Sequence, residues 1–201
     1  MKILFICTGN TCRSPMAEAI LKDRMPEAEV QSAGIFAGGN QQANPNTIEV
    51  LARNGIKMDH LSQPVTDRLL DWADVVLTMT TRHKQSLIID FPEFQEKYYT
   101  LKEFISEADK RVWQELKKSY ADLEEKRSLF IQENQLKHNY IHLDELLEEH
   151  LREDIGHIRR LESTLINYDI PDPFGGNLAI YEETFKELDA YIGLLIKKID
   201  R

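Results

Sequence analysis

The sequence predicts an α/β fold in three layers, a parallel sheet of four strands covered by helices and interrupted by an inserted α-helical hairpin. Three observations predict it. Residues 2–7, KILFIC, form a near-continuous apolar run, the pattern of a strand buried on both faces. Short apolar runs then alternate with helical segments as far as residue 101, which argues for a parallel sheet. Residues 107–168 change character: they hold no proline and one glycine, Gly156, amid dense Glu, Lys, Arg and Leu.

Each element has its own signal. After the first strand, Thr8-Gly9-Asn10-Thr11 reads as a turn, and Ser14-Pro15 opens a helix. Pro15 suits the first helical position, where its missing N–H costs nothing. Residues 16–25 have helical composition and Pro26 stops them. Residues 30–34 read as a short strand ending at Gly34. Asn44-Pro45 caps a second helix that Gly55 ends. A short helix over 66–72, a strand over 74–79, a helix over 81–90 and a fourth strand over 98–101 follow. In such a sheet the ligand site is expected beyond the C-terminal strand ends, at a switch in strand order.

The segment 107–168 reads as two long helices forming a hairpin, because it is too long for a structureless loop in a compact domain. Apolar residues fall at Trp113, Leu116, Tyr120, Leu123 and Phe130, close to a heptad spacing. A second series runs Tyr140, Leu143, Leu147, Leu151, Ile155, Ile158, Leu161 and Leu165. Ile170 to Gly176 returns to loop chemistry. Residues 179–198 form a last amphipathic helix, with Phe185, Leu188, Tyr191, Leu195 and Ile199 on one stripe. The expected domains are therefore 1–106 with 169–201, and the inserted hairpin 107–168.

The 201 residues are 29% charged and 42% hydrophobic, an ordinary globular mix. The net charge of −9 repels phosphate backbones and disfavours a nucleic-acid binder. The short N-terminal apolar run fits neither a signal peptide nor a membrane span, so the expected location is cytoplasmic, with no membrane partner. Cys7 and Cys12 are the two cysteines. Lying so close in sequence, they read as chemistry in a reducing compartment rather than as a structural staple.

The motif that carries chemistry is Cys7-Thr8-Gly9-Asn10-Thr11-Cys12-Arg13-Ser14-Pro15, between a strand and a helix. Such a loop cradles a phosphoryl group. Gly9 permits the positive φ that an anion-binding nest uses. Backbone N–H groups converge on phosphoryl oxygens, and the helix adds its positive end. Arg13 holds two oxygens bidentately. At the base lies Cys7, whose thiolate form is the nucleophile. Ser14 is placed to donate to the Cys7 sulfur, and Asn10 to brace the loop. The plain alternative is a buried structural cysteine beside a surface arginine. Asp172, between Pro171 and Pro173, is a candidate general acid or an ordinary turn residue. Phe174 and Phe36 are candidate walls of a substrate cleft. His138 and His142, four apart, and then His150 and His157, read as exposed helix histidines, and no metal or other cofactor is expected.

These residues resemble the low-molecular-weight protein tyrosine phosphatases. The first loop through Glu18 looks like that family's signature, Ser32-Ala33-Gly34 like its segment after the second strand, and Asp172-Pro173-Phe174 like its acid loop. The resemblance covers roughly 1–105 and 169–201. It implies the flavodoxin-like strand order and a phosphocysteine mechanism: Cys7 attacks phosphorus, Arg13 and the loop amides hold the oxygens, and Asp172 protonates the leaving group. Ser32 is implied to hydrogen-bond Asn10. The family's arsenate reductases need further cysteines for a redox relay, which this chain lacks beyond Cys12.

Between the remaining substrates the reading turns on Thr11, which is similar to the threonine of bacterial protein-arginine phosphatases. A polar β-branched side chain suits a guanidinium better than an aromatic ring does. Gly175-Gly176 also departs from the Tyr-Tyr of some tyrosine phosphatases. The expected function is hydrolysis of phosphoarginine in proteins. The alternatives are a tyrosine phosphatase, and a phospho-residue binding or scaffold protein without activity. Cys12 is either a redox partner that protects Cys7 as a disulfide or a small packing residue. The hairpin 107–168 departs from the family pattern. It docks phosphorylated protein substrates, gates Asp172, self-associates, or merely packs on itself.

Overall fold

The computed structural model describes residues 1–106, 110–134, 140–164 and 167–200. Leu165 and His138 lie outside these, as do the side chains of Trp113, Tyr140 and His142. The chain divides into two compact units, Met1–Ile105 with Tyr168–Arg201, and Ser106–Asn167.

The first unit holds four parallel strands, β1 (Lys2–Cys7), β2 (Glu29–Gly34), β3 (Val75–Thr78) and β4 (Tyr98–Thr100). Their order is β2-β1-β3-β4, the flavodoxin-like order expected. Strand β1 is central, and Ile3, Leu4, Phe5 and Ile6 are fully buried. Alternate side chains of a strand face opposite sides. Ile3, Phe5 and Cys7 accordingly join a core with Met16, Ala17, Ile20, Tyr181, Leu188 and Ile192. Leu4 and Ile6 join a second core with Leu70, Val76, Leu87 and Tyr98. The first core packs helices α1 (Arg13–Arg24) and α8 (Leu178–Ile199), and the second packs α3 (Asp67–Trp72) and α4 (Thr81–Asp90), which completes three layers.

Two short elements had no sequence signal, a 3₁₀ turn over Pro92–Lys97 and helix α5 (Leu101–Ile105). Helix α2 (Pro45–Arg53) begins as expected, with the Asn44 side chain accepting from the Asn46 N–H. The buried stripe of α8 is Tyr181, Phe185, Leu188, Ile192 and Leu195, whereas Tyr191 and Ile199 are only partly covered. Both stripes fit a 3.6-residue period, and packing against α1 and the sheet selects the one observed.

The second unit is a pair of helices, α6 (Lys110–Asn134) and α7 (Tyr140–Thr164). Tyr120 donates to Glu162, Lys126 pairs with Asp154, and the Phe130 ring stacks on His150. As one index rises the other falls, so the helices run antiparallel. Leu116, Leu143, Leu151 and Ile158 are buried in the hairpin. Tyr120, half-exposed, sits on the rim of the seam rather than within it.

Candidate active site

The register brings three chain segments to one edge of the sheet. Cys7 at the end of β1 pairs with Gly34 at the end of β2, and Ile6 pairs with Thr78 at the end of β3. From β1 the chain turns to β2 on one side, and β3 lies on the other. A crevice opens at that switch, and the Cys7–Arg13 loop fills it.

The direction of the loop follows from its carbonyls. Cys7 O accepts from Ile35 N, Thr8 O from Phe36 N, Thr11 O from Asn44 N, and Cys12 O from Met16 N. Asn10 O lies 2.9 Å from His60 Nε2. In a trans peptide the C=O and the next N–H point in opposite directions. Tying these carbonyls to the surrounding scaffold therefore turns the N–H groups of Thr8, Gly9, Thr11, Cys12 and Arg13 away from it, into the loop. The N-cap residue of α1, Cys12, makes no side-chain cap bond, so the helix's first-turn donors are left for an anion. Pro15 stands third in α1 rather than first, still within the turn whose N–H groups have no helical acceptor.

Gly9 does not carry the positive φ. Asn10 does, at 54°. Asparagine tolerates the left-handed region because its side chain bonds locally, and here it bonds in three directions. Asn10 Nδ2 donates to Ser14 Oγ at 3.0 Å and to Ser32 Oγ at 2.8 Å, and Oδ1 accepts from Gln63 N at 2.9 Å. Ser32 Oγ in turn donates to Glu18 Oε2 at 2.6 Å. Ser14 Oγ accepts from Asn10, and its one proton faces two acceptors, Cys7 Sγ at 3.0 Å and the Ala33 carbonyl at 3.4 Å, of which the sulfur is the nearer.

Gly34 has a different task. A Cβ there would stand 2.7 Å from Thr8 O and 2.8 Å from Asn10 N. Only a glycine lets β2 approach the loop this closely.

Arg13 is buried, with 4% of its side chain exposed. Nη1 donates to Ile170 O at 3.0 Å, and Nη2 lies 2.9 Å from Asp172 Oδ2 and 3.4 Å from Thr8 Oγ1. Its Nε is buried without a hydrogen-bond partner among the described residues. Asp172 is half-exposed, and its Oδ1 accepts from Phe174 N. The acid segment is fixed from behind, since Ile170 N donates to Met79 O and Asp169 Oδ1 accepts from Thr81 N.

Cys7, Arg13 and Asp172 thus meet in one cavity of about 260 Å³, walled also by Thr8, Gly9, Thr11, Cys12, Gln41 and Phe174. Asn10, Ser14 and Ser32 are buried around the loop. Phe36 is not part of the wall: its N–H holds the Thr8 carbonyl, and its ring is 78% exposed. Both cysteines are free thiols. Burial pushes the Cys12 thiol above its ordinary range, partly offset by the Tyr181 hydroxyl 3.4 Å away. Among the described residues no cluster of His, Cys, Asp or Glu has the make-up of a metal site, and no helix is long and apolar enough to cross a membrane.

Sequence reasoning passed over Gln41, His60, Gln63 and His83. His83 Nε2 lies 2.9 Å from Thr8 Oγ1, and Nδ1 lies 2.8 Å from Thr80 Oγ1. Burial, and then the Arg13 charge, pull the imidazole down to about 4. The available signal was positional: His83 opens a helix directly after a strand that ends at the switch crevice.

Comparison with known proteins agrees with this geometry. Residues 2–153 match the family described as low molecular weight phosphotyrosine protein phosphatase. The protein-arginine-phosphatase of Bacillus subtilis is 46% identical over 111 residues, which cover 53% of this chain and 73% of that protein. The low molecular weight protein-tyrosine-phosphatase PtpB of Staphylococcus aureus is 43% identical over 108 residues, 54% of this chain and 76% of its own. Among solved structures, the arginine phosphatase of Geobacillus stearothermophilus superposes with a TM-score of 0.68 at 32% identity, covering 99% of this chain and 92% of that one.

Proposed function

The chain belongs to the low-molecular-weight phosphotyrosine protein phosphatase family, hydrolases of phosphorylated proteins, and from that premise we propose that it removes phosphate from phosphoarginine in cytoplasmic proteins. The observation that carries the chemistry is the meeting of Cys7, Arg13 and Asp172 in one cavity, with the Arg13 Nε buried and without a hydrogen-bond partner among the described residues. The loop N–H groups and Arg13 hold the phosphoryl oxygens. Cys7 Sγ attacks phosphorus as thiolate, the P–N bond to the arginine breaks, and Asp172 gives its proton to the departing guanidine nitrogen. Water then attacks the phosphocysteine, Asp172 takes a proton from it, and the thiolate leaves, met by the Ser14 hydroxyl. The transition states are anionic, so donors fixed in advance lower the barrier more than any flexible group would.

The proposed preference for phosphoarginine rests on Thr11, a small polar residue among those that line the cavity. Two relatives named protein-arginine-phosphatase support it. The test is kcat/KM on matched phosphoarginine and phosphotyrosine peptides, for wild type and Thr11→Ile. The expected result is a strong phosphoarginine preference that the substitution relaxes. A phosphotyrosine preference unmoved by Thr11→Ile would instead make the chain a tyrosine phosphatase in which Thr11 only packs. Absence of any burst of product from a chromogenic aryl phosphate would leave a phospho-residue binding protein.

A further inference from the structure

We infer that His83 is a positioning residue of this phosphatase, whose neutral imidazole fixes the Thr8 hydroxyl as an acceptor for Arg13 and so holds the guanidinium in its phosphoryl-binding pose. The inference rests on the reading of Arg13 given above.

The distances fix the partners, and the chemistry of Arg13 fixes one direction. Arg13 has only donors. Thr8 Oγ1, 3.4 Å from Nη2, therefore accepts from it. Thr8 Oγ1 keeps a second lone pair and its one proton, and the arrangement inferred here gives that proton to His83 Nε2, 2.9 Å away, as the bare nitrogen. In the same arrangement the imidazole proton sits on Nδ1 and goes to Thr80 Oγ1 at 2.8 Å. Thr80 is itself fixed as the N-cap of α4, accepting from His83 N. A line of polar contacts thus runs from the start of α4 through His83 and Thr8 to Arg13, and on to Asp172. A protonated imidazole would disturb it, because the Thr8 proton would lose its acceptor and a second cation would stand beside Arg13. Besides Thr8 and the half-exposed Asp172 carboxylate, Arg13 has one anchor among the described residues, the Ile170 carbonyl. Without the Thr8 contact the guanidinium can pivot about that bond, and a small misplacement of a phosphoryl clamp is costly in rate.

The test uses the full chain and an aryl phosphate substrate, with vanadate as the probe of the oxyanion site. His83→Leu and Thr8→Val are each expected to lower kcat/KM roughly ten- to a hundred-fold and to weaken vanadate inhibition. The double variant is expected to be no worse than either single one, because both remove the same contact. His83→Gln, which sets an amide oxygen near the Nε2 position, is expected to recover most of the loss. Losses that multiply in the double variant, or a His83→Leu enzyme with wild-type kcat/KM, would overturn the inference. Should His83→Leu fold poorly, nitrogen NMR of the unsubstituted protein decides: a proton on Nδ1 at neutral pH is expected, and a proton on Nε2 overturns it. Arg13→Lys is run beside these. Full activity there would sink the reading of Arg13 itself, whereas an inactive Arg13→Lys with an unaffected His83→Leu sinks only the role of His83.

Discussion

Asn10 does two jobs that are separable by substitution. Its backbone takes a φ of 54°, and its side chain ties Ser14, Ser32 and Gln63 together. Asn10→Gly keeps the backbone at ease and deletes the three bonds. Asn10→Ala deletes them and adds left-handed strain of about 1–2 kcal/mol. Both variants are expected to be destabilised, alanine more than glycine by about that difference, as read from urea unfolding. Equal destabilisation would mean that the loop relaxes out of the left-handed conformation. His83 makes a prediction in pH. Facing Arg13, Arg82, Asp169 and Asp172, it titrates near 4 in the fold, against an ordinary 6.5. Between those values the unfolded chain binds the proton and the folded one does not, so the contribution to stability is complete above pH 6.5 and is lost as pH falls toward 4. The loss is on the order of 3 kcal/mol. His83→Gln, which does not titrate, is expected to show a flatter stability profile over that window, and unfolding curves that stay parallel to wild type would refute it.

Between elements, β2 approaches the Cys7–Arg13 loop closely at Gly34. Gly34→Ala would push a methyl group against Thr8 O and Asn10 N, both backbone atoms with nowhere to go. The expected cost is about 1–3 kcal/mol. A larger proportional loss of kcat should accompany it, since the loop amides shift with the strand. Retention of wild-type kcat with lowered Tm would place the strain elsewhere. Gly34 was visible in the sequence as a strand terminus, but its reason was not, because close approach is a property of two segments. The same limit explains the other gaps. The strands and longer helices announced themselves through apolar period, Asn44-Pro45 and Gly55. The turn at Pro92 and helix α5 are too short to have a period. The left-handed residue of the loop was expected at Gly9 on intrinsic preference, whereas the three partners of Asn10 come from residues 14, 32 and 63. Cys7 and Arg13 stood out because their residue types and flanking elements suit phosphate chemistry, whereas Asp172 stood out only through the family resemblance, since an Asp between prolines also reads as a turn. His83 was not, since a lone histidine says nothing until the fold brings it to Thr8.

At the scale of the whole molecule, the two units divide the work. The first contains all four strands and every residue of the cavity, and the second buries Leu116, Leu143, Leu151 and Ile158 in its own seam. The chain leaves the first unit after α5 and returns at Tyr168. Lys102 Nζ donates to Asp169 O at 2.8 Å, so the departing and returning chains lie on the order of 10 Å apart, a span that a handful of extended residues bridges. Replacing residues 106–167 with a Gly/Ser linker of about six residues is therefore expected to give a folded protein. Its kcat/KM on an aryl phosphate should stay within a few-fold of wild type, because closing a shorter loop leaves the cavity's supports in place. An inactive but folded variant would make the hairpin part of the catalytic apparatus. Phosphorylated protein substrates supply the sharper comparison. Unchanged aryl phosphate hydrolysis with slowed protein dephosphorylation would assign the hairpin to substrate docking. Equal rates on both substrate classes would leave it a self-packed insertion that the phosphatase fold tolerates at this junction.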